Sequence, residues 1–271
     1  MNAGCQLTVG LLVRNQLPFA AACLGALAKR RAETTEILII DDASGPEAGI
    51  FLREFTSRER GVHYLRNDRQ RGFPYGCNEV IYNSSAPFIC VLNSDTLVAR
   101  DWDSRLLEPL RRDERVGLTG PSTSFAHTRQ ALLGLRATRM MQTEQTVDAI
   151  GARVFRRYAG RWKEMSKLGG FCLCFRRSLT RRIGYFDEQF GLGAGEEDDF
   201  VRRARAAGYR AVWVRDAYVH HFGHRTFSQE VPDSSELWAK NRLIYDIKAL
   251  DWSWGERVHQ PVNQAAEVKE Q

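Results

Sequence analysis

Long apolar runs are missing from this 271-residue sequence: none comes near the roughly 18 residues that a membrane span needs. The opening residues, MNAGCQLTVGLLV, lack the basic start and extended apolar core of a secretion signal. A cytoplasmic chain with no transmembrane segment is therefore expected. The cysteines Cys5, Cys23, Cys77, Cys90, Cys172 and Cys174 include no CxxC pair and sit mostly in apolar segments. That excludes the usual zinc and dithiol patterns and leaves buried free thiols as the expectation. The formal charge is +6, but the arginines behind it are dispersed. Without a dense basic tract interleaved with aromatics, nucleic acid is not expected as a partner. Dispersed positive charge suits small anionic ligands instead. There is no internal repeat and no low-complexity linker. One domain over residues 1–250 is expected, with 251–271 a polar C-terminal tail.

Short apolar runs are present, at residues 7–13, 37–40, 62–65, 88–92 and 116–119, and they read as strands. Helical stretches lie between them. One covers 18–31, with Pro18 in the tolerated first turn. A second opens at Ser44 and Glu47, the spacing of a capping box, and is expected to turn Ile50, Phe51 and Phe55 inward. A third covers 102–112, with Leu106, Leu107 and Leu110 on one side. This alternation predicts an α/β fold: a Rossmann-like, mostly parallel central sheet with helices on both faces. Residues 121–167 are less regular. Val147, Ile150, Val154, Phe155 and Tyr158 fit one helical face, and the rest is basic and polar without clear strands. Beyond Gly169 the pattern returns: a strand and short helix, a helix over 200–207 stopped by Gly208, a strand over 213–219 and a closing helix over 233–250.

The chain is organised around residues 87–98, PFICVLNSDTLV. An unbroken apolar run reads as a strand covered on both faces, and the polar break falls at its carboxyl end. In open α/β sheets that edge binds ligands. An aspartate there can hold a divalent cation against a phosphate; Asn93, Ser94 and Asp95 could equally make only a turn. Three more polar clusters fall at strand ends or helix starts: Asp41-Asp42, Glu196 to Asp199, and His220-His221 with His224.

Taken in order, IIDDAS (39–44), RGFPYGCN (71–78), VLNSDTLV (91–98), GYFDEQF (184–190), GEEDDFVRRARAAGYR (195–210) and HHFGHRTF (220–227) make the sequence resemble family 2 glycosyltransferases of the GT-A fold. The resemblance runs from residue 7 to about 250 and implies a nucleotide-sugar-binding half over 1–120 and a smaller acceptor-binding half over 121–250. It implies a nucleotide-diphosphate-sugar donor contacted near Leu12 to Asn15, by Asp42 reading the base, by Arg71, and by Asn93 and Ser94. Asp95, the retained last acid of the family's D-x-D motif, and His221 would hold Mn²⁺ or Mg²⁺. Asn93 stands where the first acid is usual and removes one charge. Glu197 would be the general base, although aspartate is more usual there, with Glu196 and Gly170 on the acceptor side; Trp162, shortly before the glycines, is by residue type a candidate to stack on a sugar. Each has an ordinary structural reading too: acids at a helix start complement its dipole, and tryptophans more often pack than bind sugar.

The activity so implied is an inverting, metal-dependent transfer of sugar to a hydroxyl on a glycan, small-molecule or peptide acceptor, chosen by residues 121–168. A lipid-linked acceptor would require peripheral membrane contact. A nucleotidyltransferase is disfavoured because VRNQLPFAAA, after the first strand, has neither glycine nor lysine to cradle phosphates. A degenerate member that binds donor without turning it over stays open, because of Asn93 and Glu197.

Overall fold

The apolar runs of the first ninety residues become four strands joined by helical crossovers. The computed structural model describes residues 4–132, 142–223 and 235–250. Strands β1 (Leu7–Val13), β2 (Thr35–Asp41), β3 (Val62–Arg66) and β4 (Phe88–Asn93) alternate with helices α1 (Leu17–Arg30), α2 (Pro46–Arg58) and α3 (Phe73–Tyr82). All pair in parallel, in the spatial order β3-β2-β1-β4. The chain thus moves from β1 to one side, then returns to place β4 on the other. That reversal is a topological switch point, and it opens a crevice beyond the carboxyl ends of β1 and β4. The register sets Val13 against Asp41 and Leu12 against Asn93, so the polar breaks of the strands share one edge.

The second half is mixed rather than parallel. It contains β5 (Thr96–Val98), α4 (Trp102–Arg112), β6 (Val116–Ser122), α5 (Glu144–Tyr158), β7 (Trp162–Glu164), β8 (Cys172–Arg176), α6 (Thr180–Ile183), α7 (Glu196–Ala206), β9 (Arg210–His221) and α8 (Ser235–Leu250). β8 runs antiparallel between β4 and β6; β9 is parallel to β6 and antiparallel to β5 and β7. Apolar content announces a strand but not its direction, which depends on the connection before it. The short β7 carries no apolar run and was not legible as a strand.

Two apolar clusters cover the two faces. One packs α1, α4 and α5 on the sheet, and the other packs α3, α6 and α7. α5 buries Val147 and Val154 as expected, but Phe155 is 37% exposed, beneath the Arg105 guanidinium. Ile50, expected inward, is 51% exposed. The capping box does not form either: Gly45 precedes α2, while the Ser44 hydroxyl accepts the Asn15 N–H at 2.9 Å. All six cysteines are buried free thiols, with Cys90 Sγ 3.7 Å from Cys172 Sγ. Among the described residues no helix is long and apolar enough to cross a membrane. His224 and the tail 251–271 lie outside the described residues.

Candidate active site

A cleft lies along the carboxyl edge of β1 and β4, closed on its far side by the loop before α7 and by α8. Asp42, Asn93, Ser94, Asp95, Gly170, Glu196, Glu197, His221 and Leu12 all line it. These residues span most of the chain, and the sheet topology brings them together.

Asp41 and Asp42 divide their work. Asp41 is fully buried and bound by the Tyr64 hydroxyl at 2.6 Å, the Ser44 N–H at 2.8 Å and Arg66. Burial pushes its carboxyl up, but these donors outweigh that and hold it below the usual range. Asp42 faces the cleft. Its carboxylate accepts from the Asn67 amide at 2.8 Å, the Arg71 N–H at 2.7 Å and the Gly72 N–H at 3.0 Å. A carboxylate has about four lone-pair sites, so one remains for a ligand. The same bonds fix the start of α3, where Gly72 has φ 91° and an added Cβ would meet the Gly191 carbonyl. Arg14 donates to the Asp42 carbonyl at 2.9 Å and to that of Ala43, which has φ 57°.

Asp95 and His221 meet through strand pairing. β5 sets Thr96 against His221, and the Phe222 N–H donates to the Asp95 carbonyl at 3.0 Å. The pleat sends alternate side chains to opposite faces. His220 therefore points away from the cleft, to Tyr218 Oη at 3.1 Å and the Phe222 ring, and burial lowers its pKa to about 4. His221 stacks on Phe171, with ring centroids 5.0 Å apart and planes 13° apart. Its Nδ1 lies 3.0 Å from the Phe125 carbonyl oxygen. A carbonyl can only accept, so Nδ1 carries the hydrogen. Nε2 then faces Asp95 Oδ1 at 3.3 Å.

Carboxylate oxygen and imidazole nitrogen are both atoms that a divalent cation can take as ligands, and here strand pairing sets the two side by side. Carboxylate oxygen with imidazole nitrogen suits Mn²⁺ better than Mg²⁺. Among the described residues no three His, Cys, Asp or Glu side chains gather into a metal site. Two protein ligands are nonetheless the number found where phosphate oxygens complete the shell. The donors present fit a divalent cation shared with a diphosphate.

On the opposite wall Gly195 leads into α7, whose first turn holds four acids. Asp198 pairs with Lys167; Asp199 binds Arg202 at 2.7 Å, Arg203 at 2.8 Å and Lys248 at 3.0 Å. Those two are structural. Glu196 and Glu197 face the cleft. Burial and the neighbouring Glu197 charge hold the Glu196 carboxyl well above the usual range, and its Oε2 has no hydrogen-bond partner among the described residues. Loss of solvent and the Asp198 charge also raise Glu197, whose Oε2 accepts the Gly195 N–H at 3.3 Å. An added Cβ at Gly170 would lie 3.3 Å from Glu197 Cβ, so glycine there lets the carboxylate sit close to the backbone.

The folded protein thus binds the Glu196 proton more tightly than the unfolded chain does. Its stability falls as pH rises from the ordinary glutamate range toward the raised value. Glu196→Gln removes that dependence. It is expected to raise Tm by about 2–5 °C near pH 8, with a difference that closes in acid; melting curves across pH check this.

Three expected site residues do not line the cleft. Arg71 gives its backbone N–H to Asp42 while its guanidinium lies 4.0 Å over the Tyr75 ring. The Asn15 side chain accepts the Gly45 N–H at 2.8 Å and braces the β2–α2 turn. Trp162 sits on β7 against Val214, with Arg112 over its ring. Of the described part of 121–168, Phe125 to Thr128 reach the cleft, where Phe125 packs on His221. Leu192 to Ala194 and Trp238 line it too and were not foreseen. The run GLGAG before the acids was the visible sign of the first; nothing in the sequence marked Trp238.

Solved structures share this fold. GalNAc-T7 with UDP, GalNAc and Mn²⁺ superposes with TM-score 0.63 at 15% identity, covering 96% of this chain and 59% of that one. The mannosyltransferase PcManGT of Pyrobaculum calidifontis, with GDP-Man and Mn²⁺, gives 0.58 at 14% identity over 94% and 76%. S. aureus TarS 1-349 with UDP-GlcNAc gives 0.61 at 12% identity over 91% and 67%. The uncharacterized protein y4gI of Sinorhizobium fredii is 23% identical over 223 residues, 80% of this chain; the chain spans about a quarter (24%) of that curated relative's length. The sequence profile of glycosyl transferase family 2 matches residues 8–184, from β1 to the glycine after α6. That match takes in the switch point, Asp42 and the Asn93-Ser94-Asp95 turn, and on it the chain belongs to glycosyl transferase family 2.

Proposed function

We propose that this enzyme is an inverting, metal-dependent glycosyltransferase that moves a sugar from a nucleotide-diphosphate donor to an acceptor hydroxyl. The observation that carries the proposal is the meeting of Asp42, Asp95, His221 and Glu197 in one cleft. Residues 1–120 supply most of the donor side and 121–250 most of the acceptor side. The UDP, UDP-GlcNAc and GDP-Man bound by the structural neighbours support a nucleotide-diphosphate-sugar donor. A cytoplasmic setting belongs to the same reading and suits six free thiols.

The donor nucleotide lies at the switch point, against Leu12 and the last open site on Asp42. Asp95 and His221 would hold the cation, with Asn93 and Ser94 beside them. When bound, that cation supplies positive charge for the diphosphate that leaves. Glu197 takes the proton of the acceptor hydroxyl as its oxygen bonds to the anomeric carbon and the carbon–phosphate-oxygen bond breaks. A raised proton affinity suits this task. One base on the face opposite the leaving group makes the displacement a single inverting step. Glu196 lies beside Glu197 and binds the acceptor.

A thermal-shift panel of UDP-GlcNAc, GDP-mannose, UDP and GDP with Mn²⁺, Mg²⁺ or EDTA tests the reading. A ligand at 100 times its Kd adds about 2.7 kcal/mol, or a Tm rise of roughly 5 °C. At least one nucleotide is expected to give that rise with Mn²⁺ and lose most of it in EDTA. No shift with any nucleotide would overturn the proposal. A shift without release of nucleoside diphosphate would mark a protein that binds donor without turnover.

A further inference from the structure

The acceptor wall is held from behind by α8. Asn241 is 1% exposed, and the two hydrogens of its Nδ2 are shared among the carbonyls of Phe190 at 2.9 Å, Gly193 at 2.6 Å and Ala194 at 3.0 Å. All three belong to one loop. That loop needs an outside hold, because Gly191, Gly193, Ala194 and Gly195 have φ of 61°, 129°, 80° and 105°. Residues in the left-handed region form no repeating backbone ladder, and Ala194 carries a Cβ there at a cost. Two turns along α8, Lys248 binds Asp187 before the loop and Asp199 after it.

The loop delivers the two acids. Gly195 immediately precedes Glu196, and its N–H reaches Glu197 Oε2. An added Cβ at Gly193 would lie 3.8 Å from both Glu196 carboxylate oxygens. The loop also touches the donor side, where Leu192 O accepts the Phe73 N–H at 3.3 Å. Trp238, one turn before Asn241, lines the cleft at 44% exposure.

We infer that Asn241 is a positioning residue for transfer: by pinning three carbonyls of the Phe190–Gly195 loop, it sets where Glu197 meets the acceptor oxygen. This rests on the proposed role of Glu197 as base. Asn241 touches neither donor nor acceptor, so its loss should act on turnover and spare donor affinity.

The test uses the full chain with Mn²⁺ and whichever of UDP-GlcNAc and GDP-mannose shifts Tm more. Release of UDP or GDP is followed with water as acceptor. Asn241→Asp keeps the volume but cannot donate; Asn241→Gln can donate from a longer stem; Asn241→Ala removes the group. A misplacement of about 1 Å costs roughly 100-fold in turnover. Asn241→Asp and Asn241→Ala are therefore expected to lower kcat by about 10- to 100-fold with the donor KM kept within about threefold, and Asn241→Gln to recover part of the loss. Unchanged kcat in a folded Asn241→Asp protein overturns the inference, as does a kcat and donor KM that worsen together. If Asn241→Ala does not fold, the Asp and Gln variants decide. A wild-type chain that releases no nucleotide fails the transferase reading itself, and the inference with it.

Discussion

Replacing Glu197 with glutamine is expected to lower turnover by about 10²- to 10⁴-fold, the usual contribution of a positioned general base. Glutamine has nearly the same shape, and its amide oxygen can still accept the Gly195 N–H. Only the capacity to take a proton is lost. Donor binding, read from the Mn²⁺-dependent rise in Tm with UDP or GDP, should stay within about threefold because Asp42, Asp95 and His221 are untouched. The folded protein should be no less stable, since the change removes one of two neighbouring carboxylates. The pH profile gives a second check. Burial and Asp198 raise Glu197 above the ordinary glutamate range, so wild-type kcat should climb with pH through that raised range as the base loses its proton. The variant should show no such climb. Unchanged kcat with donor still bound would reject Glu197 as the base and move attention to Glu196, which is more deeply buried beside it.

The residues legible in advance share one property: they interrupt apolar runs. Asp42, Asn93 and Asp95 each follow strands too apolar to be anything but core, and carboxyl ends of parallel strands share an edge. His221 came from the family resemblance instead, and a strand's pleat added only that it and His220 take opposite faces. Other contacts left no local trace. Arg71 acts through a backbone N–H, which any residue would supply. Trp162 and Trp238 look alike as letters, and only the third dimension puts one on β7 and the other in the cleft. Strand direction in the second half was hidden because β8 enters antiparallel after a connection without regular pattern. The attachment of α8 was hidden too: Lys248 meets Asp187, and Asn241 meets Phe190, across gaps of 61 and 51 residues. Periodicity reports which face of a helix is buried, but not which charge waits beneath it.

That hidden attachment leads to the largest expected loss of stability, from Lys248→Met. Lys248 is 2% exposed, with Nζ 2.5 Å from Asp187 Oδ2 and 3.0 Å from Asp199 Oδ2. Methionine fills similar space without charge. Asp199 keeps Arg202 and Arg203. Asp187, fully buried, keeps the Gln189 N–H at 2.9 Å but loses its cation. Breaking a buried pair from one side costs about 3–5 kcal/mol, because the remaining charge is uncompensated. For a chain of this size that is a fall in Tm of roughly 10 °C near pH 7. Burial pushes Asp199 up, but Arg203, Lys248 and Arg202 outweigh it and hold its carboxyl below the usual range. Its share of wild-type stability is thus full above the ordinary aspartate range and lost as pH falls through the depressed value, so the gap between wild type and variant should narrow in acid. Adding Asp187→Asn should restore about half of the lost Tm, because the stranded charge is then gone. A Tm for Lys248→Met within about 2 °C of wild type would show that α8 contributes little at this end, and that the loop carrying Glu196 and Glu197 is held by Asn241 without it.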